Sequence, residues 1–236
     1  LHRVDRRQRQ MCIRDSLNTY LYRMIQKTAL LSPRPVRSRP TRAQTRERIL
    51  NGALEAFAER GFQGATQEDI CDRVGLSRGA YNSNFRSQEE LFFAIYDRTI
   101  ERLERHLEIS IASALSRPGP AAENFVRAFI ADYAFDRSWY LLQADFGLHA
   151  LRNPAVASHY AARQNRILSV IEEAVGRVWR GIEPSRPHAS SRVARLILAV
   201  HEGAMFQRLL EPSTIKDGEL LTLLADLLFS KSAINS

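Results

Sequence analysis

The stretch from residue 66 to residue 85 constrains the fold of this chain most, because it predicts two short helices joined by a tight turn. Thr66 can cap the first helix, with Asp69 placed three residues later to complete the cap. Gly75 ends that helix, since a glycine readily adopts the left-handed conformation that such a turn requires. Ser77 can then cap the next helix at once. This order of signals is typical of a helix-turn-helix.

The second helix, roughly Arg78 to Asn84, carries small or hydrogen-bonding side chains that suit the major groove of DNA. Tyr81 and Phe85 are left to pack or to contact the backbone. Ordinary helical hairpins with solvent-exposed polar residues show the same spacing, so the motif alone leaves that alternative open.

The segments on either side extend this unit. Apolar residues between Arg46 and Arg60 recur with the period of an amphipathic helix, which ends at Gly61. After the second short helix, the run Ser87-Gln-Glu-Glu90 is a capping box that begins a long helix reaching about residue 117. We therefore predict an all-α fold, with a three-helix, helix-turn-helix domain over residues 41–90 and a larger helical domain over residues 91–236.

Several short motifs over residues 45 to 92 form a known pattern: Arg48-Ile-Leu50, Ala56-Phe-Ala58, Gly61-Phe62, Thr66, Asp69-Ile70, Val74-Gly-Leu-Ser-Arg-Gly-Ala80, Phe85, Ser87 and Glu89-Glu-Leu91. On these residues the chain resembles the TetR family of transcriptional regulators. The resemblance implies an all-helical homodimer whose N-terminal domain binds DNA and whose divergent C-terminal domain binds a small effector. Two positions depart from the family pattern, since Asn82 stands in place of a usual tyrosine and Gln88 in place of a usual lysine. Both positions commonly contact phosphate in the family.

The predicted DNA-binding residues lie in and around the two short helices: Arg46, Thr66, Gln67, Ser77, Arg78, Gly79, Ala80, Asn82, Ser83, Asn84 and Gln88. Base edges are expected to be read by Arg78, Ser83 and Asn84. Phosphates are expected to be held by polar side chains or helix N-termini at Thr66, Gln67, Asn82 and Gln88. The resemblance predicts a ligand-responsive repressor that binds a pseudo-palindromic operator in double-stranded DNA as a homodimer.

The formal charge of +8 suggests a nucleic-acid binder, but it is concentrated in one segment. Residues 1–40 hold ten basic and two acidic side chains, whereas residues 41–236 hold 24 of each sign. Any positive surface on the helical part must therefore come from the placement of individual arginines.

Residues 1–40 are predicted to be a disordered tail that is non-native in part. The run from Asp5 to Ser16 resembles translated sequencing adapter, and Met24 offers a native start. The basic, proline-rich segment 32–40 is either a solvated end or an arm that reaches a phosphate or the minor groove. Because no apolar run is long enough to span a membrane, a cytoplasmic protein is expected.

The C-terminal part predicts further helices, broken by proline or glycine, over about 121–135, 138–151, 154–180, 189–211 and 217–230. Aromatic and polar side chains cluster on the first two of these helices, and they form the predicted effector-binding set: Phe129, Tyr133, Trp139, Gln143, Phe146 and His149. An apolar wall with a few polar groups is typical of a ligand pocket. Aromatic stripes at this spacing also form ordinary cores, which is the alternative.

The last two helices predict a homodimer interface. A helix over residues 219–229 would be apolar on nearly every side, so burying one face of it would leave other apolar side chains exposed. The helix before them adds a small and apolar face made of Val193, Leu196, Ile197, Val200, Gly203 and Ala204. Two such helix pairs would form a two-fold, four-helix interface, the alternative being a helix buried within a monomer.

The sequence gives little support to the hypothesis that this protein is an enzyme. The run His201-Glu-Gly-Ala-Met205 begins like a zinc-protease helix, but Met205 stands where the second histidine ligand is needed. Since no glycine-rich phosphate loop or nucleophile elbow occurs, neither catalysis nor a cofactor or metal is expected. A helical adaptor that has lost DNA binding is the second non-enzyme hypothesis, which the departures at Asn82 and Gln88 keep open.

Overall fold

The computed structural model describes residues 40–131, 136–178, 189–216 and 218–229. Within these ranges all regular elements are helices, in the order α1 (Arg42–Arg60), α2 (Gln67–Val74), α3 (Arg78–Asn82), α4 (Gln88–Ser116), α5 (Ala121–Ala131), α6 (Arg137–Arg152), α7 (Pro154–Val178), α8 (Ala189–Leu210) and α9 (Glu219–Phe229). This confirms the all-α fold class. None of the described helices combines the length and the apolarity needed to cross a bilayer. The predicted tail up to residue 39 and Tyr133 lie outside the described residues.

The caps around α2 and α3 confirm the predicted helix-turn-helix. The hydroxyl of Thr66 accepts a hydrogen bond from the backbone of Asp69 at 3.1 Å, while the Asp69 carboxylate accepts one from the backbone of Thr66 at 2.9 Å. Gly75 ends α2 in the left-handed conformation, with φ +62°. The hydroxyl of Ser77 accepts from the backbone of Ala80 at 3.2 Å and so begins α3.

The first three helices pack around a shared core that includes the start of α4. Ile49 and Phe57 of α1, Ile70 of α2 and Phe92 of α4 are buried there. α1 and α2 approach closely at Gly52, where an added Cβ would lie 2.2 Å from Val74 Cγ1. A larger residue at position 52 would therefore push these two helices apart.

α4 continues from this core into the C-terminal part. Its second half buries Leu107 and Ile111 in a separate cluster with Ala174 and Val178 of α7. Ion pairs also join α4 to α7, and they connect Asp97 with Arg163, Glu104 with Arg166, and Glu108 with Arg177. α4 is thus a structural element common to the helix-turn-helix and to the C-terminal helices.

Where the predicted helix boundaries fall on described residues, they hold to within a few residues, and one difference is at the end of α3. The predicted ends at residues 135, 180 and 230 lie outside the described residues. α3 ends at Asn82, two residues before the predicted end at Asn84. The side-chain amide of Asn84 donates to the carbonyl of Ala80 at 2.8 Å, and that carbonyl would accept the Asn84 backbone N–H if the helix continued. The backbone N–H instead bonds to the Tyr81 carbonyl at 2.8 Å, which forms a turn.

Candidate DNA-binding face and effector cavity

α3 presents one polar face to solvent and buries the other. Its anchors are Tyr81, which is 3% exposed, and Phe85, which is fully buried. Burial raises the pKa of the Tyr81 hydroxyl to about 12, so this side chain stays neutral. The exposed residues at and around the helix are Ser77, Arg78, Gly79, Asn82 and Ser83, with Ala80 half-buried. The sequence-predicted set therefore supplies the whole exposed face of α3.

Two side chains of this exposed face are already paired with α2. Arg78 Nη2 donates to Glu68 Oε2 at 2.8 Å, and both side chains are more than 60% exposed. Gln67 Nε2 donates to Asn82 Oδ1 at 2.8 Å. An exposed ion pair contributes at most about 1 kcal/mol, so Arg78 can exchange Glu68 for another acceptor at little cost.

Arg46 and Asn84 hold the end of α3 in place. The Arg46 guanidinium lies over the Phe85 ring, 4.3 Å from its centroid, and donates to the backbone carbonyl of Asn84 at 3.3 Å. Arg42, which the sequence-predicted set omits, donates to the carbonyl of Ser83 at 3.2 Å in the same way. These contacts join residues about 40 positions apart, and no local signal in the sequence reveals them.

Thr66 and Gln88 are also engaged in contacts within the protein. Beyond its capping role, the Thr66 hydroxyl donates to Asp69 Oδ2 at 2.7 Å. The hydrogen bond from the Thr66 backbone lowers the pKa of the Asp69 carboxyl. Gln88 Nε2 donates to the carbonyl of Ala65 at 2.5 Å, at the start of α4. The structure thus brings both residues to helix N-termini, where backbone N–H groups attract anions.

A cavity of about 680 Å³ lies among the helices of the C-terminal part. Side chains of α4 to α9 form its wall, which is largely apolar. Three of the six sequence-predicted effector residues line it, namely Phe129, Trp139 and Gln143. Its volume is in the range of small-molecule sites.

One carboxyl group reaches this cavity from α8, and sequence reasoning missed it. Gln143 Nε2 donates to Glu202 Oε1 at 2.9 Å. Burial raises the pKa of the Glu202 carboxyl and lowers the pKa of its neighbour His201. A usable signal existed, since Leu198, His201, Glu202 and Met205 recur with helical spacing and all line the cavity.

Phe146 and His149 lie away from this cavity. Phe146 is fully buried and stacks on Phe92, with ring centroids 3.4 Å apart. His149 packs on the Phe62 ring at 5.0 Å, and its Nδ1 lies 2.6 Å from Gln63 Nε2. Both residues therefore join α6 to the helix-turn-helix, instead of the wall where they were expected with Trp139.

Exposed apolar side chains form an outer face on the last two helices. Phe206, Leu210, Leu223 and Leu227 are each more than half exposed, and Leu210 reaches 66%. Gly203 belongs to the same side of α8, and an added Cβ there would meet no atom within 4 Å. Two residues of the predicted face turn inward instead, because Ile197 lines the cavity and Ala204 is buried.

Among the residues that the structure describes, no group of three or more histidine, cysteine or acidic side chains is arranged so that it could hold a metal ion.

Two family profiles match the chain. The profile for bacterial regulatory proteins of the tetR family covers residues 49–95, and the profile for the C-terminal part of BetI-type transcriptional repressors covers residues 118–230. The first match includes most of α1 and all of α2 and α3. The second includes the helices that surround the cavity, apart from α4.

Individual relatives agree with these profiles. The HTH-type transcriptional repressor Rv1474c of Mycobacterium tuberculosis is 41% identical over 61 residues, which is 26% of this chain and only 33% of that protein. The HTH-type transcriptional regulator UidR of Escherichia coli is 29% identical over 175 residues, covering 70% of this chain and 82% of the relative. Among solved structures, Salmonella enterica GusR aligns with a TM-score of 0.61 at 24% identity, over 78% of this chain and 94% of its own, and thus shares the fold.

Proposed function

Because the chain belongs to the TetR family of bacterial transcriptional regulators, we propose that it is a ligand-responsive repressor that binds a pseudo-palindromic operator as a homodimer. The family is one of regulators and not of enzymes. The single observation that carries the proposal is the polar face of α3, which is exposed to solvent while Tyr81 and Phe85 fix the helix from behind.

This face has the chemistry that base reading requires. Arg78 and Ser83, two of the expected base readers, are exposed, and so is Asn82, which is expected to hold a phosphate. Asn84, the third expected base reader, is half-buried, and its side-chain amide donates to the Ala80 carbonyl. Gly79 lies between Arg78 and Asn82 with open space around it, since an added Cβ would meet only Ser77 Oγ at 3.8 Å. The backbone can therefore come close to a DNA strand at this point.

Phosphate contacts would come mainly from the N-termini of α2 and α4, beside Gln67 and Gln88. These groups carry no full positive charge, while Arg42 and Arg46 already contact the end of α3. Few counterions are then released on binding, so the dependence of affinity on salt should be shallow. A slope that matches about ten released ions would contradict this assignment.

The homodimer is proposed to form through the outer face of α8 and α9. Exposed Phe206, Leu210, Leu223 and Leu227 would be buried there against the same residues of a second copy. Gly203 leaves room for the close approach of the two α8 helices. A two-fold axis between the subunits would place two α3 helices in successive major grooves, about 34 Å apart.

α6 is the proposed connection between effector and operator. Trp139 and Gln143 in its first half line the cavity, while Asp145 and Phe146 in its second half contact the helix-turn-helix. A ligand that favours one position of α6 would therefore also favour one position of α3. The expected result is a change in the separation of the two α3 helices and hence in operator affinity.

A gel shift with DNA from upstream of the chain's own gene tests the proposal. We expect specific binding by the wild type and a loss of at least about tenfold for Arg78→Ala and for Asn82→Ala, because each removes a base or phosphate contact. Arg117→Ala is the matched control, since Arg117 is an exposed arginine at the far end of α4. Absence of specific binding by a folded dimer would favour the adaptor hypothesis.

A further inference from the structure

The two halves of α1 are held in different ways. Its second half packs in the shared core, where burial begins at Ile49, whereas residues 42–48 include no buried side chain. Small changes in the direction of the first half are therefore controlled by polar contacts. Arg46 belongs to this half and contacts the Asn84 carbonyl and the Phe85 ring. Whatever fixes the first half of α1 thus also fixes the end of α3.

One of these polar contacts comes from a buried arginine on α4. Arg98 is 9% exposed, and its Nη1 donates to Glu47 Oε2 at 3.0 Å and to Asn51 Oδ1 at 2.7 Å. Glu47 and Asn51 lie one turn apart and share a face of α1. Glu47 directly follows Arg46 in the chain. Arg98 therefore binds α1 at the same level at which α1 holds the end of α3.

The contact is an expensive way to stabilise the fold. Arg98 Nε is buried and has no hydrogen-bond partner among the described residues, while the side chain of Glu47 is 57% exposed. A buried cation with an exposed anion and an unpaired N–H contributes little net stability, and apolar side chains of similar volume often serve as well. The arginine differs from such a side chain because its two hydrogen bonds specify one position of α1 relative to α4.

We propose that Arg98 is a positioning residue for operator binding, which sets the direction of the first half of α1 and, through Arg46, the position of the end of α3. The next two residues of α4, Thr99 and Ile100, line the cavity. α3 is thereby tied to a segment of α4 that an occupant of the cavity would contact, by a path separate from α6. The inference rests on the proposed function, because it assigns a role in binding the operator.

Arg98→Met separates positioning from folding. Methionine keeps the apolar stem and removes the buried charge, and exposed Glu47 stays solvated. We therefore expect the midpoint of thermal unfolding to stay within about 3 °C of the wild type. Affinity for the DNA fragment from upstream of the gene should nevertheless fall at least about fivefold. Arg105→Met is the matched control, since Arg105 is an exposed arginine two turns further along α4, and it should change neither quantity.

Two results would overturn the proposal. One is unchanged affinity in folded Arg98→Met. The other is a joint fall in stability and affinity, which would indicate a merely structural role. If Arg98→Met fails to fold, Arg98→Lys provides the measurement, because lysine keeps the charge but lacks the planar guanidinium. We expect it to unfold at the wild-type temperature and to bind DNA at least about twofold more weakly, and wild-type affinity in this variant would also overturn the proposal.

The salt dependence of affinity distinguishes positioning from direct phosphate contact. Because Arg98 is buried, its replacement removes no phosphate contact, so the slope of log affinity against log salt should equal that of the wild type. A slope smaller by about one would show that Arg98 itself neutralises a phosphate, and would contradict the assigned role.

The double variant Arg98→Met/Arg46→Met tests the path through α1. Since both changes release the same end of α3, the double variant should bind DNA only slightly less tightly than the weaker of the two single variants. Losses that multiply would show that the two residues act independently, and would overturn the path.

The wild type separates this inference from the proposed function. Specific binding by the wild type that Arg98→Met retains in full overturns the inference and leaves the proposed function intact. A folded wild-type dimer that does not bind the fragment specifically overturns both.

Discussion

The backbone N–H of Phe62 donates a hydrogen bond of 2.5 Å to the Asp145 carboxylate, 83 residues further along the chain. The Phe62 ring lies edge-on against Phe146, with centroids 4.8 Å apart, and also contacts His149. The loop after α1 is therefore held by three residues of the second half of α6. This contact joins the helix-turn-helix to the helix that also forms part of the cavity wall.

Asp145→Ala should destabilise the protein, because the partly buried N–H of Phe62 loses its acceptor. We expect the free energy of unfolding in urea to fall by about 1–3 kcal/mol. Glu101→Ala is the control, since Glu101 is exposed on α4. A variant as stable as the control would show that water replaces the carboxylate.

Leu223→Glu and Leu227→Glu should convert a dimer into a monomer. Each places a charge on the outer face of α9, where the proposed interface would have to bury it. We expect light scattering to give half the wild-type mass, and operator affinity to fall with it. Leu115→Glu alters an equally exposed leucine on α4 and should remain dimeric. A wild type that is already monomeric at micromolar concentration contradicts the interface.

Tyr96→Phe should not destabilise the protein, although Tyr96 is fully buried. Its hydroxyl finds no hydrogen-bond partner among the described residues, so its removal relieves a desolvation cost of about 1 kcal/mol. Tyr160→Phe is the contrasting change, because the Tyr160 hydroxyl accepts from Gln164 Nε2 at 3.1 Å. We expect thermal unfolding to rank Tyr96→Phe at or above the wild type and Tyr160→Phe below it. The reverse order would indicate an undetected partner for Tyr96.

The sequence alone predicts the helix-turn-helix, because the capping and turn residues that define this motif act locally. Thr66, Gly75 and Ser77 each act on backbone groups within about four residues, and all three have the predicted roles. The sequence has no local pattern that would predict the long-range contacts of the DNA-binding residues. Arg46 was expected to contact DNA, and only tertiary structure shows its guanidinium on the Phe85 ring.

Only some of the predicted effector-binding residues line the cavity, and the reason is the length of α6. Helical spacing brings Trp139, Phe146 and His149 near one face and therefore predicts a single wall. α6 has 16 residues and is about 24 Å long, so its two ends contact different neighbours. Periodicity identifies a buried face, but it does not say what covers each turn of it. The motif around Glu202 indicates only an incomplete metal site, because nothing local in the sequence shows that this side of α8 faces a cavity.

The division of α6 has a consequence for how such a regulator can diversify. Substitutions at Trp139 or Gln143 would change the cavity wall, while Asp145 and Phe146, further along the same helix, would keep their contacts with Phe62. If the cavity holds the proposed effector, single changes in one half of a helix would be enough to alter which ligand it accepts. The other half of the helix would keep its contacts with the helix-turn-helix unchanged.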